Sequence, residues 1–235
     1  MIEYGHGTHV GLRRDHNEDT YVADAQIGLW LVADGMGGHD SGEVASAIAR
    51  DTVVSHYSEG SSLTDAICAA ASAVAAKSEA KPAALSMGTT LVASAVKEPE
   101  YEVAWVGDSR VYHFGVAGLK QLTSDHSFVQ ELVKQGAITP EQARHHPQKN
   151  VVTQALGVTE PKSLRVDCVK GSLEMDEMLL LCSDGLTEEV DEPGITAILR
   201  RDDLSTQERV DHLILAALDH GGSDNVTVLL LHRTS

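Results

Sequence analysis

Four aspartates sit at the ends of short apolar runs. Asp34 closes Leu29-Trp30-Leu31-Val32-Ala33, Asp108 follows Val103-Ala104-Trp105-Val106-Gly107, and Asp184 follows Leu179-Leu180-Leu181-Cys182-Ser183. Asp224 precedes Asn225 and the run Val226 to Leu231. Short apolar runs punctuated by glycine read as buried strands. A carboxylate at the mouth of each strand places several negative charges on one rim of a sheet or barrel. Such charges repel unless cations hold them, and hard divalent ions such as Mg²⁺ or Mn²⁺ take oxygen ligands of this kind. The pattern points to a site for more than one metal and to metal-assisted chemistry on an anionic substrate.

The N-terminal segment supplies partners for that chemistry. Arg14-Asp15-His16-Asn17-Glu18-Asp19 puts a guanidinium close in sequence to two adjacent carboxylates. Arginine suits a bidentate grip on phosphate, and Glu18 and Asp19 can hold a metal or its water. Gly35, after Asp34, lets its carbonyl turn towards a cation.

Other nucleophiles have no visible carrier. No cysteine is followed six positions later by arginine, there is no Gly-Lys pair for a phosphate-binding loop, and no Gly-x-Ser-x-Gly elbow occurs. Cys68, Cys168 and Cys182 are far apart and read as buried reduced thiols, not as a zinc site or disulfide framework.

The elements that must position these residues follow from the pattern. Helices are expected over Ser41–Tyr57, with Val44, Ala45, Ile48, Ala49 and Val53 on one face, and over Ser62–Ala80. A third opens at Ser205 with Glu208 and ends at Gly221-Gly222. Strands are expected over Thr20–Ala23, Leu29–Ala33, Thr89–Val96, Val103–Val106, Val111–Phe114, Leu164–Val169, Met178–Cys182 and Val226–Leu231. Strands cluster and helices pair, so the class is α+β with largely antiparallel sheets. Residues 124–157 read as a small helical insertion, with Thr139-Pro140 starting a helix and His145-His146 as surface. Trp30 and Trp105 read as core.

The 235 residues suffice for a sizeable core, and no linker divides them. Net charge is −17, which argues against nonspecific nucleic-acid binding. No signal-peptide core or run near the roughly 20 apolar residues of a membrane span is present, so a cytoplasmic location is expected.

The chain resembles the metal-dependent protein serine/threonine phosphatases of type 2C, the PPM family, in their compact bacterial form. The matching motifs are Arg14-x-x-Asn17-Glu18-Asp19, Asp34-Gly35-Met36-Gly37-Gly38-His39, Gly88-Thr89-Thr90, Val106-Gly107-Asp108-Ser109-Arg110, Ser183-Asp184-Gly185 and Asp224-Asn225. They occur in the family's order over nearly the whole length. The resemblance implies one catalytic domain over 1–235, a four-layer αββα sandwich with two central antiparallel sheets flanked by helix pairs, and a flap at about 124–157. It implies that Asp34 bridges two Mn²⁺ or Mg²⁺ ions, that Glu18 and the Gly35 carbonyl serve one of them, and that Asp184 and Asp224 hold the other. Asp19 would lie in the outer shell, Arg14 would bind the substrate phosphate, and Asp108 would take a third, weaker ion with help from Asp184. The implied reaction is attack by a metal-bridging hydroxide on phosphoserine or phosphothreonine, without a phosphoenzyme. Animal members carry histidine where this chain has Met36, which leaves His39 or a water to protonate the leaving oxygen. The expected partners are a Ser/Thr kinase and its phosphorylated substrates, with no nucleic acid, no membrane and a monomeric chain. The competing function is a non-catalytic phosphoprotein binder on the same fold; a dedicated role in one regulatory switch concerns the target, not the chemistry.

Overall fold

A computed structural model describes residues 1–37, 41–79 and 87–234. In chain order the elements are β1 (Ile2–His9), β2 (Asp19–Asp24), β3 (Leu29–Met36), α1 (Ser41–Ser58), α2 (Leu63–Glu79), β4 (Gly88–Thr89), β5 (Leu91–Lys97), β6 (Glu100–Val106), β7 (Arg110–Gly115) and β8 (Gly118–Gln121). They continue with α3 (Phe128–Lys134), α4 (Pro140–Arg144), β9 (Asp167–Ser172), β10 (Met178–Cys182), α5 (Asp184–Thr187), α6 (Glu192–Leu199), α7 (Thr206–His220) and β11 (Val226–Arg233).

The strands form two sheets, one ordered β1-β11-β10-β7-β8 and the other β2-β3-β5-β6-β9, with β4 paired to β3. Every strand pair is antiparallel. Side-chain alternation assigns each strand two apolar faces. In β3, Leu29, Leu31 and Ala33 pack under α1 and α2, whereas Trp30 and Val32 face the other sheet. In β10, Leu180 and Cys182 meet α6 and α7, whereas Leu179 and Leu181 fill the space between sheets. Three packed layers of side chains therefore join four layers of backbone, αββα. Antiparallel strands usually alternate apolar with polar because one face is wet. Here helices cover both outer faces, so β3, β10 and β11 read as near-continuous apolar runs. Trp30 and Trp105 lie in the layer between the sheets, as expected of core residues.

The caps agree with the sequence. Ser205 and Glu208 form a reciprocal capping box at α7, and Gly221 ends that helix with φ 144°. Thr139 and Gln142 form a second box at α4, with Pro140 at its first turn. Ser62 Oγ accepts from the Asp65 amide at 3.1 Å and donates to its carboxylate at 2.7 Å.

Several expectations need correction. β1 has no apolar alternation, and its strand character comes from pairing along all of β11. β8, α5 and α6 carried no strong sequence signal and are held by packing. The expected strand Leu164–Val169 begins later, at Asp167, because it forms only where β6 offers a partner. The expected strand Thr89–Val96 is split at Thr90, where the chain turns its hydrogen bonds towards Asp34. Cys182 is buried, but Cys68 lies on the solvent side of α2 and Cys168 on the edge strand β9, and both are exposed. Ala80, His39 and Gly38 lie outside the described residues. Among the described residues, no helix is long and apolar enough to cross a membrane.

Candidate metal centre

The two sheets bring the sequence-selected acids to one end of the sandwich. Asp19 opens β2 directly opposite Asp34 of β3. Asp108 follows β6, Asp184 follows β10, and Asp224 precedes β11. Because β10 and β11 are antiparallel, the end of one and the start of the other fall at the same edge.

The backbone around Asp34 is fixed from several sides. Its carbonyl accepts from the Thr90 amide and the Thr89 hydroxyl, each at 2.8 Å. The Gly35 amide donates to the Glu18 carbonyl at 3.2 Å. A Cβ on Gly35 would overlap the carbonyl of Gly42 in α1, so only glycine allows the helix to approach here. Glu18 is held by the Gly42 amide on its Oε1, at 3.2 Å, and by the Ser46 hydroxyl on its carbonyl, at 2.6 Å.

Asn225 ties three segments together. Its Oδ1 accepts from the Glu18 amide at 2.7 Å, and its Nδ2 donates to the carbonyls of Val10 at 2.8 Å and His16 at 3.0 Å. Replacing it with alanine leaves those partly buried groups without their partner. We expect Asn225→Ala to cost about 1–3 kcal/mol for such unsatisfied groups, read as a lower midpoint in urea; an unchanged midpoint would show that the three segments hold their places without it.

Electrostatics distinguish this end from the rest of the molecule. Burial first, then the charges of Asp19, Asp184, Asp108 and Asp224, hold the Asp34 carboxyl well above its ordinary value. Burial, followed by Asp108, Glu188, Asp224 and Asp19, does the same to Asp184. Asp108 is pushed up to about 7 by burial and by Asp125, against the opposing charge of Arg110. Asp19 is pushed up to about 6 by burial, although the hydroxyls of Thr227 (2.7 Å) and Ser183 (2.8 Å) both donate to its Oδ2. Glu18 is raised by burial, against the Gly42 amide and Arg14. Two buried oxygens, Asp19 Oδ1 and Asp184 Oδ1, have no hydrogen-bond partner.

Orphaned carboxylate oxygens in a crowd of like charges suit cation ligation better than any arrangement of protein donors. The donor set is all oxygen, which suits Mg²⁺ or Mn²⁺ over softer metals. Among the described residues, no three His, Cys, Asp or Glu side chains converge closely enough to cage one ion. That does not oppose the assignment, because small hard ions keep much of their water and need only one or two carboxylates each.

Arg14 stands at the mouth of this cluster, about half exposed, with Nη2 2.6 Å from Asp224 Oδ2. Met36 closes β3 and pairs with Gly88. The insertion over 124–157 contains α3 and α4 and returns to the site: Phe128 pairs its amide with Val151, and Leu156 exchanges backbone hydrogen bonds with Thr89. His145 is exposed beside Glu141, and the His146 ring lies against Phe128, so neither joins the acids. A cavity of about 690 Å³ runs from Asp108 and Asp184 out between the insertion and the α5–α6 segment. Across it, Lys149 Nζ stands 3.5 Å from Glu188.

Sequence reasoning missed Ser183 and Thr227 as the groups that orient Asp19. Thr227 left a trace, as the one polar residue inside an otherwise apolar run. It also missed Asp125, which takes a bidentate hydrogen bond from Arg110 beside Asp108.

An αββα sandwich with crowded acids at one end and an arginine at their mouth is the frame of a metal-assisted hydrolase. The sequence profile of the family described as Protein phosphatase 2C matches residues 7–220. The serine/threonine phosphatase stp of Listeria monocytogenes is 38% identical over 239 residues, covering 96% of this chain and 94% of that protein. The crystal structure of the Mycobacterium tuberculosis serine/threonine phosphatase PstP/Ppp superposes with a TM-score of 0.91 at 36% identity, covering 100% of this chain and 99% of that one. The catalytic domain of PstP in complex with two manganese ions gives a TM-score of 0.88 at 34% identity, covering 100% and 99%. The chain belongs to the protein phosphatase 2C family.

Proposed function

We propose that this chain is a metal-dependent protein phosphatase that hydrolyses phosphoserine and phosphothreonine on proteins, with residues 1–235 as one catalytic domain and 124–157 as its flap. The observation that carries the reading is the buried acid cluster with orphaned oxygens beside Arg14. Asp34, Glu18, the Gly35 carbonyl, Asp184 and Asp224 are the residues that would hold two Mn²⁺ or Mg²⁺ ions, Glu18 and Gly35 on the side of one and Asp184 and Asp224 on the side of the other, with Asp34 serving both. Asp19 would act in the outer shell, and Asp108 with Asp184 would hold a third, weaker ion. Bound divalent ions supply Lewis acidity, which lowers the pKa of water towards neutrality and offsets phosphoryl charge.

The residues of the chain do the rest. Asp34, held through Thr89, Thr90 and Gly35, fixes where the charge of the site is concentrated. Arg14 lies where its guanidinium can grip the phosphoryl oxygens and orient phosphorus. The cavity between the flap and α5–α6 accepts the polypeptide around the phosphorylated residue. Met36 carries no proton to give, so the leaving oxygen takes its proton from water or from His39. The chain acts as a monomer in the cytoplasm, on proteins phosphorylated by a Ser/Thr kinase.

Phosphothreonine and phosphoserine peptides test the reaction. Release of one phosphate per peptide, with no phosphate left on the protein, is expected. Retention of the intact phosphopeptide without release would instead support the non-catalytic binder. Arg14→Ala should lower kcat/KM for these peptides about 10- to 100-fold, the scale of one charge-assisted pair of hydrogen bonds; steady-state kinetics showing no loss would remove Arg14 from phosphate binding.

A further inference from the structure

His126 has no task in the phosphatase reading, yet it is buried with every polar atom engaged. It is 1% exposed. Its Nδ1 accepts from the Gly107 amide at 3.2 Å, and its Nε2 lies 3.2 Å from Asp167 Oδ2. An amide N–H can only donate, so Nδ1 is bare and the ring proton sits on Nε2, donated to Asp167. The His126 amide donates to the Gly107 carbonyl at 2.9 Å, and its own carbonyl accepts from the Thr153 amide at 2.7 Å. The ring stacks on Trp105, with centroids 6.3 Å apart. Burial, the largest cause, lowers the His126 pKa, which leaves the imidazole neutral at neutral pH.

These bonds connect two parts of the molecule. On one side stands Asp108. The hydrogen bond that reaches its carboxylate comes from its own amide, so its place rests on the backbone to either side. After it, Ser109 Oγ lies 2.8 Å from Thr90 Oγ1. Before it, Gly107 turns with φ 106°, so close to Thr90 that a Cβ would overlap it, and His126 holds both its amide and its carbonyl. On the other side stand the two legs of the 124–157 insertion. Ser127 bridges to Val152, and Thr153 bonds to His126 itself. Asp167, which opens β9 beyond the returning leg, is held in turn by Arg165 Nε at 3.1 Å. Packing alone is served by an apolar side chain. A fully bonded imidazole in one tautomer instead fixes a direction, because each buried polar group accepts only its own partner.

Resting on the reading of Asp108 as a metal ligand, we propose that His126 is a positioning residue that sets the Gly107–Asp108 backbone against the flap and so fixes Asp108 for its ion. The flap and this part of the metal centre then move as one unit.

Two replacements separate the two ring nitrogens. His126→Gln places an amide where Nε2 lies and takes the acceptor away from Gly107. His126→Asn places its carbonyl oxygen where Nδ1 lies and keeps that acceptor. Mn²⁺ binding to the chelator-stripped chain is followed by the EPR signal of the free ion, which reads binding without turnover. His126→Gln should weaken the weakest-binding component about tenfold, the scale for a partner behind a metal ligand, with the tighter component unchanged. His126→Asn should restore most of that loss. An unchanged isotherm for His126→Gln overturns the proposal, as does an equal loss in both variants. The wild-type chain carries a second test that needs no variant to fold: nitrogen NMR of its histidines should show a bare Nδ1 and a protonated Nε2 for His126. A protonated Nδ1 overturns the proposal. A wild-type chain that binds no Mn²⁺ removes the metal reading together with the proposal, so the wild-type isotherm tells the two failures apart.

Discussion

Asp184→Asn is expected to reduce turnover by on the order of 10³-fold, the scale seen when one preorganised group that stabilises transition-state charge is removed. The same change should leave the metal-free protein as stable as the wild type, or more so. These outcomes come from one local fact. Asp184 follows β10 with Oδ1 buried and unpartnered, and it is raised well above its ordinary pKa by burial and by Asp108, Glu188, Asp224 and Asp19. Asparagine keeps the shape, removes a repelled charge and removes a ligand. A residue with a purely structural role would behave in the opposite way, losing stability when altered and activity only as a consequence. Phosphate release and thermal melting in chelator, measured on the same preparation, separate the two. Full activity would remove Asp184 from the site, and loss of the fold would make the activity result uninformative about ligation.

The second large effect is the response of the metal-free protein to pH. Asp108 is pushed up to about 7 and Asp19 to about 6, and Asp34 and Asp184 are likewise raised well above the ordinary carboxyl value. An unfolded chain releases these protons near pH 4. Between about pH 4 and pH 7 the folded chain therefore holds more protons than the unfolded one, and stability falls as pH rises. This is the reverse of a carboxylate that is salt-bridged in the native state. The melting temperature of chelator-treated protein should drop by about 8–16 °C from pH 5 to pH 7.5, since Asp108 and Asp19 alone contribute about 4 kcal/mol over that window at about 2–4 °C per kcal/mol for this chain length. Mn²⁺ at about 100 times its dissociation constant should restore about 2.7 kcal/mol per ion. The restoration should be larger at pH 7.5 than at pH 5, because at low pH the ion must displace protons. A chelated protein that is more stable at pH 7.5 than at pH 5, and indifferent to Mn²⁺, would mean that the acids are paired with something other than a cation.

Much of this arrangement was legible in the sequence, for a physical reason. Apolar runs buried on both faces cannot be mistaken for loops, so β3, β6, β10 and β11 were visible, and the aspartates at their ends marked the edge. Capping residues located α4 and α7 because caps act through local hydrogen bonds. β1 was not legible, since Ile2–His9 is exposed and polar along one side and is a strand only because β11 lies beside it. The same holds for the start of β9. The acid cluster was legible as a set of candidates, but its organisation was not. That Asp19 faces Asp34, that Ser183 and Thr227 orient Asp19, and that Asn225 links Glu18 to Val10 and His16 are contacts between residues as much as 215 positions apart. No local pattern encodes such contacts. The exposure of Cys68 and Cys168 was misread for a related reason: the small residues around them suggested burial, but which face of a helix or edge of a sheet meets solvent is decided by packing.

The central claim is that crowded carboxylates at one end of the sandwich bind divalent ions and thereby enable phosphate release. The most direct test is to strip the protein with chelator, titrate Mn²⁺ back in, and follow phosphate released from a phosphothreonine peptide. The account predicts no release at the start, a rise that saturates with Mn²⁺, and full loss when chelator is returned. Release that persists in chelator, or no release at any Mn²⁺ concentration from protein shown to be folded, would contradict it.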